Sequence, residues 1–246
     1  MFPQTHVYFA GEVLGKINDA IIMGSIFPDM AIGAGLHRDI SHGSGQKMLE
    51  FFGGQRGEMY DFALGNFTHG TEPQGLDYFG DEKNPPFERG YCFEKGRLFI
   101  DATIDACNIV PEMGWWKAHN IVEMGIELRI GAEGPYGELL YQAFQNQQLI
   151  DHICRNAGEF YSKEFMPFIK RIKSFPDYIA IKKTTAQYLA EKYDYQMYYK
   201  HKVHIDIKKV SRLINMASES VEDDLDHFFE QVISNVKSNL SLEKKY

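Results

Sequence analysis

Cysteine is scarce in this chain. Of 246 residues only Cys92, Cys107 and Cys154 are cysteines, an odd number, widely separated and without a CxxC pair. That pattern excludes a disulfide framework and a cysteine zinc site, and it points to reduced thiols in a cytoplasmic protein. Long apolar runs are also missing. No stretch reaches the roughly eighteen apolar residues that a membrane-spanning helix needs, so no transmembrane segment is expected. The opening stretch "MFPQTHVYFAGEVLG" has no basic n-region, apolar h-region or small-residue cleavage site, so no secretory signal is expected. Positive charge is in deficit, with 26 Lys and Arg against 34 Asp and Glu and a formal net charge of −8. This argues against nonspecific nucleic-acid binding as the main role. "GAGLHR" and "GSGQKM" pair glycines without completing a dinucleotide or phosphate-loop signature, and neither GxSxG nor HExxH occurs.

What is present is an ordinary globular composition, 44% hydrophobic and 24% charged, in a chain long enough to bury a substantial core. Of its 22 glycines only Gly158 lies beyond Gly137. The first part therefore reads as helices joined by tight loops, and the last hundred or so residues as nearly uninterrupted helix. In "SESVEDDLDHFFEQVISNVKSNL" Ser220 is a candidate cap, acids crowd the first turn, and Val221, Leu225, Phe228, Phe229, Val232, Val236 and Leu240 recur at helical period. No β alternation and no internal repeat stand out. The expected fold class is all-α. A hinge near residues 158–176 would separate two lobes, but apolar stripes on both sides favour one body over 1–246. The tail "SLEKKY" is expected to fray.

Several polar residues fall where a helix should be apolar. In "WWKAHNIVEMGIELRI" Trp116, Val122, Ile126 and Ile130 form one stripe, and His119 and Glu123 lie on it. Lys117, Asn120, Met124 and Arg129 point elsewhere in this reading. A buried carboxylate needs a partner or must neutralise. The pair therefore bonds to itself or to buried water, or it binds one metal ion. In "THVYFAGEVLGKI" His6 leads the face Phe9, Ala10, Val13 and Ile17, with Thr5 as a candidate N-cap. In "EMYDFALGNFTHGTEP" His69 follows Met59, Phe62, Ala63 and Asn66 and stands just before Gly70. Each histidine alone fits a core residue bonded to a carbonyl; three together favour a shared polar centre.

Two segments read as loops add further ligands. "MGSIFPDMAIGAGLHRDISHGSG" carries Asp29, a plain turn residue in the simplest reading, and then His37 and His42. "THGTEPQGLDYFGDE" offers Glu72, Asp77 and Asp81. A His/Asp/Glu set without cysteine suits zinc or a harder divalent ion with an open position for water.

The order His6, "GSIFPD" ending in Asp29, "DISHG" with His42, "FALGNFTHG" with His69 and "HNIVE" with His119 and Glu123 resembles the zinc-dependent phospholipase C family and the related single-strand nucleases. The resemblance covers about residues 5–130; the HxxxE on a helix and the ALGxxxH segment are its most specific parts. It implies an all-helical fold and zinc held by His and Asp or Glu from several helices. It also implies that Asp29 binds metal and orients or deprotonates the attacking water. It prefers His42 to His37 as a ligand. The family has Asp four residues after the histidine of ALGxxxH; here that position is Pro73, and Asp77 or Glu72 stands in. Secreted members also use a processed N-terminal amine as a ligand, a role not expected of this leaderless chain.

The expected metal set is thus His6, Asp29, His42, His69, Asp77, His119 and Glu123, holding one or two Zn2+ ions or another divalent metal in their place. The metal-site part spans about 1–135, and the helical C-terminal part, about 136–246, matches no known pattern. The function implied is a metal-dependent phosphoester hydrolase acting on a small phosphodiester or a lipid head group. Two rivals are a non-catalytic helical protein with a structural metal or polar core, and a nucleic-acid or anionic-lipid binder. The last rests on the interleaved Lys and Tyr of "KKTTAQYLAEKYDYQMYYKHKVHIDIKK", which also reads as a solvated helix surface.

Overall fold

A computed structural model describes residues 1–54, 57–181 and 184–243, with side chains placed to residue 241. Among the described residues the chain is all helical, with no strand. The first part, about 1–135, contains α1 (Pro3–Leu14), α2 (Asp19–Gly33), α3 (Arg38–His42), α4 (Gly45–Phe52), α5 (Glu58–His69), α6 (Tyr91–Gly96), α7 (Ile100–Cys107) and α8 (Gly114–Glu133). The C-terminal part contains α9 (Tyr136–Gln145), α10 (Gln147–Tyr161), α11 (Met166–Ser174), α12 (Ala186–His201), α13 (Ile207–Ser220) and α14 (Leu225–Glu243). A continuous cluster of buried side chains runs through both parts, including Phe168, Ile172 and Phe175 in the segment read as a hinge. All three cysteines are buried free thiols. Residues 244–246 of the tail, and Lys182 and Lys183 of the Lys/Tyr stretch, lie outside the described residues.

Local expectations are corrected at several points. α1 starts at Pro3 with Phe2 at its cap, so Thr5 is inside the first turn and does not cap it. The segment around Asp29 is not a loop but the second half of α2, with Pro28 inside the helix. Ser220 ends α13 and bonds the Ala217 carbonyl; a turn separates it from α14. Among the described residues the C-terminal part is thus six α-helices and the short helical turn Phe175–Tyr178, joined by turns and loops, rather than almost uninterrupted helix. Ile17 and Trp116 are exposed, while Lys117 and Met124 are buried. The physical reason in α8 is enclosure: α1, α6, α7 and α13 pack around it, so almost every side of the helix faces protein.

Two contacts set the geometry of the centre. α2 and α5 cross through glycine on both faces: a Cβ at Gly24 would strike the Phe62 carbonyl oxygen, and one at Gly65 the Ile21 carbonyl oxygen. Backbone-to-backbone approach of this kind draws the Asp29 end of α2 toward the His69 end of α5. The second contact fixes α1. Glu127 of α8, fully buried, accepts from the Gln4 amide (2.9 Å), the Thr5 amide (2.8 Å) and the Thr5 hydroxyl (2.8 Å). A carboxylate on the orphan amides of a first turn satisfies them and suits the helix dipole. It also pins Met1 and His6 beside α8.

Candidate metal centre

Side chains from three helices, α1, α3 and α5, and the Met1 amine converge on Asp77, which caps the helical turn Tyr78–Glu82. Its Oδ1 lies 3.1 Å from the Met1 amine and 3.3 Å from His6 Nε2; its Oδ2 lies 3.3 Å from His42 Nε2 and 3.4 Å from His69 Nε2. His42 Nε2 is also 3.5 Å from Asp29 Oδ1. His6 and His69 stack with ring centroids 3.8 Å apart, and His69 meets His42 edge-on at 4.9 Å. Gly70 lets the end of α5 abut α3, because a Cβ there would strike the His42 carbonyl oxygen.

The outer ring nitrogens decide what the inner ones can do. His69 Nδ1 lies 2.6 Å from the Ser25 carbonyl oxygen, which can only accept, so Nδ1 carries the proton. In the neutral ring Nε2 is then a lone pair, buried without a hydrogen-bond partner and aimed at a carboxylate. His42 Nδ1 lies 2.9 Å from the Ser41 hydroxyl, which donates to the Arg38 carbonyl, so Nδ1 is again the donor. Lone pairs facing carboxylate oxygens repel unless something positive lies between them. Ligands on a tetrahedral zinc with bonds of about 2.0–2.1 Å are separated by roughly 3.3 Å. The 3.3, 3.4 and 3.5 Å spacings among His42, His69, Asp77 and Asp29 match that edge. Outer nitrogens tied to carbonyl or hydroxyl are also how metal-binding imidazoles are held.

A second set adjoins the first. Ligand atoms of Asp81, His119 and Glu123 lie within 4.8 Å of one another, as do those of Asp29, His42, His69 and Asp77. Glu123 Oε1 pairs with the Met1 amine at 2.7 Å, and Asn120 bridges Glu123 Oε2 (2.9 Å) and His119 Nε2 (3.0 Å). His119 stacks on Phe93 with centroids 4.1 Å apart. Arg38 reaches Glu82 at 3.0 Å, Asp81 at 3.4 Å and Asp77 at 3.9 Å.

The protonation pattern follows from this crowding. Against the cost of burial, the Met1 amine, His69, His42 and His6 hold Asp77 well below the usual carboxylate range. Burial, reinforced by Glu123 and Asp77 and opposed by the Met1 amine, pushes Asp81 well above it. Against burial, hydrogen bonds to Asp29 and Asp77 raise His42 to about 9. Burial and neighbouring His69 lower His6 to about 4, and burial lowers His119 to about 4 against the pull of Glu123. Without a metal, protons on His42 and Asp81 supply positive charge that a bound ion would otherwise supply.

All seven residues expected from the sequence therefore meet in one place. Glu72 and His37 do not; both are exposed. Three groups were not assigned from sequence. Asp81 was only one acid among several, although it follows Asp77 at i+4 in the same helical turn. Arg38 gave no signal. The Met1 amine was expected to stay out of the centre, yet it bridges Asp77 and Glu123.

A cleft of about 360 Å³ opens onto these residues. Met1, Asp29, Asn120 and Glu123 form its floor, and α11, α12 and the Phe175–Tyr178 turn form one wall. The C-terminal part thus builds the access to a centre whose acids and histidines all come from the first part. Comparisons with protein-family models, with curated proteins and with solved structures found no match.

Proposed function

We propose that this chain is a metal-dependent phosphoester hydrolase, zinc-dependent and of phospholipase C type, that cleaves a phosphodiester. The observation that carries the metal reading is the anchored imidazole of His69, whose partnerless Nε2 faces Asp77 at tetrahedral-edge spacing, with His42 Nε2 at a matching distance from the same carboxylate. The hydrolase reading rests on the resemblance of the histidine and acid segments to the zinc-dependent phospholipase C family. Asp29, His42, His69 and Asp77 are the first ligand set, and Asp81, His119 and Glu123 the second. A divalent ion in such a set supplies Lewis acidity and lowers the pKa of water toward about 7. Asp29 is the member of the first set that keeps access to the cleft, its side chain 33% exposed. Against burial, its hydrogen bond to His42 and the proximity of His69 keep it ionised at neutral pH. In this reading it orients the attacking water and takes up its proton.

A polar core without catalysis is the second reading. Arg38 and the Met1 amine favour it, because they already bring two positive charges to the acids. Elemental analysis of protein purified without added metal, together with turnover of bis(p-nitrophenyl) phosphate, separates the two. Stoichiometric zinc with turnover that chelator abolishes is expected; metal-free protein, or metal without turnover of any diester, supports the polar core.

A further inference from the structure

The cleft wall carries cations that the metal centre does not use. Lys117 Nζ is 2.9 Å from the His201 ring nitrogen and lies over the Trp116 ring at 3.7 Å; among the described residues no carboxylate forms an ion pair with it. Arg171 of α11 is held more tightly. Its guanidinium lies over the Tyr178 ring at 4.5 Å and the Phe175 ring at 5.1 Å, and it presses against α2 where a Cβ at Gly33 would strike Nε. Its Nε is buried without a hydrogen-bond acceptor. Among the described residues, no carboxylate forms an ion pair with Arg171. A cleft-lining guanidinium stacked on two rings and free of an ion pair among the described residues is arranged for an oxyanion, since its planar donors match one and stacking removes the entropy of holding it still. Gly33 is one helical turn from Asp29, so Arg171 stands about 6 Å along α2 from the centre.

We infer that Arg171 is a specificity-determining residue: it binds a second oxyanion of the substrate, beyond the scissile phosphodiester. This rests on the hydrolase reading for the word substrate, but the binding site stands on its own geometry. Such a wall disfavours a cationic head group, which Lys117, Arg171 and the cleft-lining Lys200 would repel.

Sulfate is the probe, titrated calorimetrically into chelator-treated full-length protein at constant ionic strength, with choline chloride as the cationic comparison. The expected result is sulfate binding to the wild type, weakened about tenfold or more in Arg171→Gln and less in Arg171→Lys, with no choline binding. Gly33→Ala keeps the arginine but pushes its guanidinium off α2, so it should weaken sulfate as well. It reads the same site should Arg171→Gln lose its helical circular dichroism. Equal sulfate affinity in all the folded variants, or none in the wild type, overturns the inference. Arg171-dependent binding in a protein that hydrolyses no diester would sink the hydrolase reading and leave the oxyanion site. Turnover with sulfate affinity unmoved by these substitutions would do the reverse.

Discussion

At the scale of single residues, Glu123 has more to do than its place on a helix suggests. It pairs with the Met1 amine, takes the Asn120 amide, and offers a ligand atom beside Asp81 and His119. Glu123→Gln keeps the shape and one carbonyl acceptor while removing the charge. If the second set binds metal, occupancy of the purified variant should fall by one ion per chain, and diester turnover should fall with it. Unchanged stoichiometry by elemental analysis would leave the residue only its ion pair with Met1. Because the variant leaves the buried Met1 ammonium with Asp77 as its remaining ionic partner, a stability loss of about 2 kcal/mol is expected in either case.

At the scale of elements, two packing devices position the ligands, and each makes a separate prediction. Gly24→Ala forces α2 away from α5, because the new methyl meets backbone rather than a side chain that can turn aside. Chemical denaturation should show a loss of about 3 kcal/mol or more. Metal affinity should drop too, since Asp29 and His69 ride on the two helices. Glu127→Ala leaves three donors at the start of α1 without their acceptor, a loss of about 3 kcal/mol. Glu127→Gln keeps one acceptor oxygen and should lose less. A retained midpoint in the alanine variant would mean that water replaces the carboxylate and α1 is held by its apolar face alone.

At the scale of the whole molecule, the buried histidines of the metal-free protein should together stabilise the fold most near pH 6.5. His6 and His119 are held at about 4 against an ordinary 6.5, so their contribution is complete above 6.5 and is lost as pH falls toward 4. His42 is raised to about 9, so its contribution is complete below 6.5 and is lost as pH rises toward 9. Each histidine is worth on the order of 3 kcal/mol, so the acid window, which has two of them, is about twice the alkaline one. If zinc takes the place of the His42 proton, added metal should raise the unfolding midpoint and flatten the alkaline limb. Urea titrations at about pH 5, 6.5 and 8.5, with chelator and with zinc, check this against the linkage expectation. A pH profile identical in both would show that no metal engages the histidines.

Several features were legible without any structure. Composition and periodicity determined the all-α class, the missing membrane span and the free thiols, because these depend on local pattern and count. The candidate ligands were legible as well, since polar residues on apolar helix stripes announce themselves one helix at a time. Only the tertiary structure decided which acids join them. Glu72 and Asp77 are equally plausible in sequence, yet one is exposed and the other lies at the middle of the centre, because the chain turns between them. Periodicity also misjudged Trp116, Lys117 and Met124, since it assumes one buried face and α8 has neighbours almost all round. Arg38, the Met1 amine and Arg171 matter through contacts across long stretches of chain, and those separations carry no periodic signal to read.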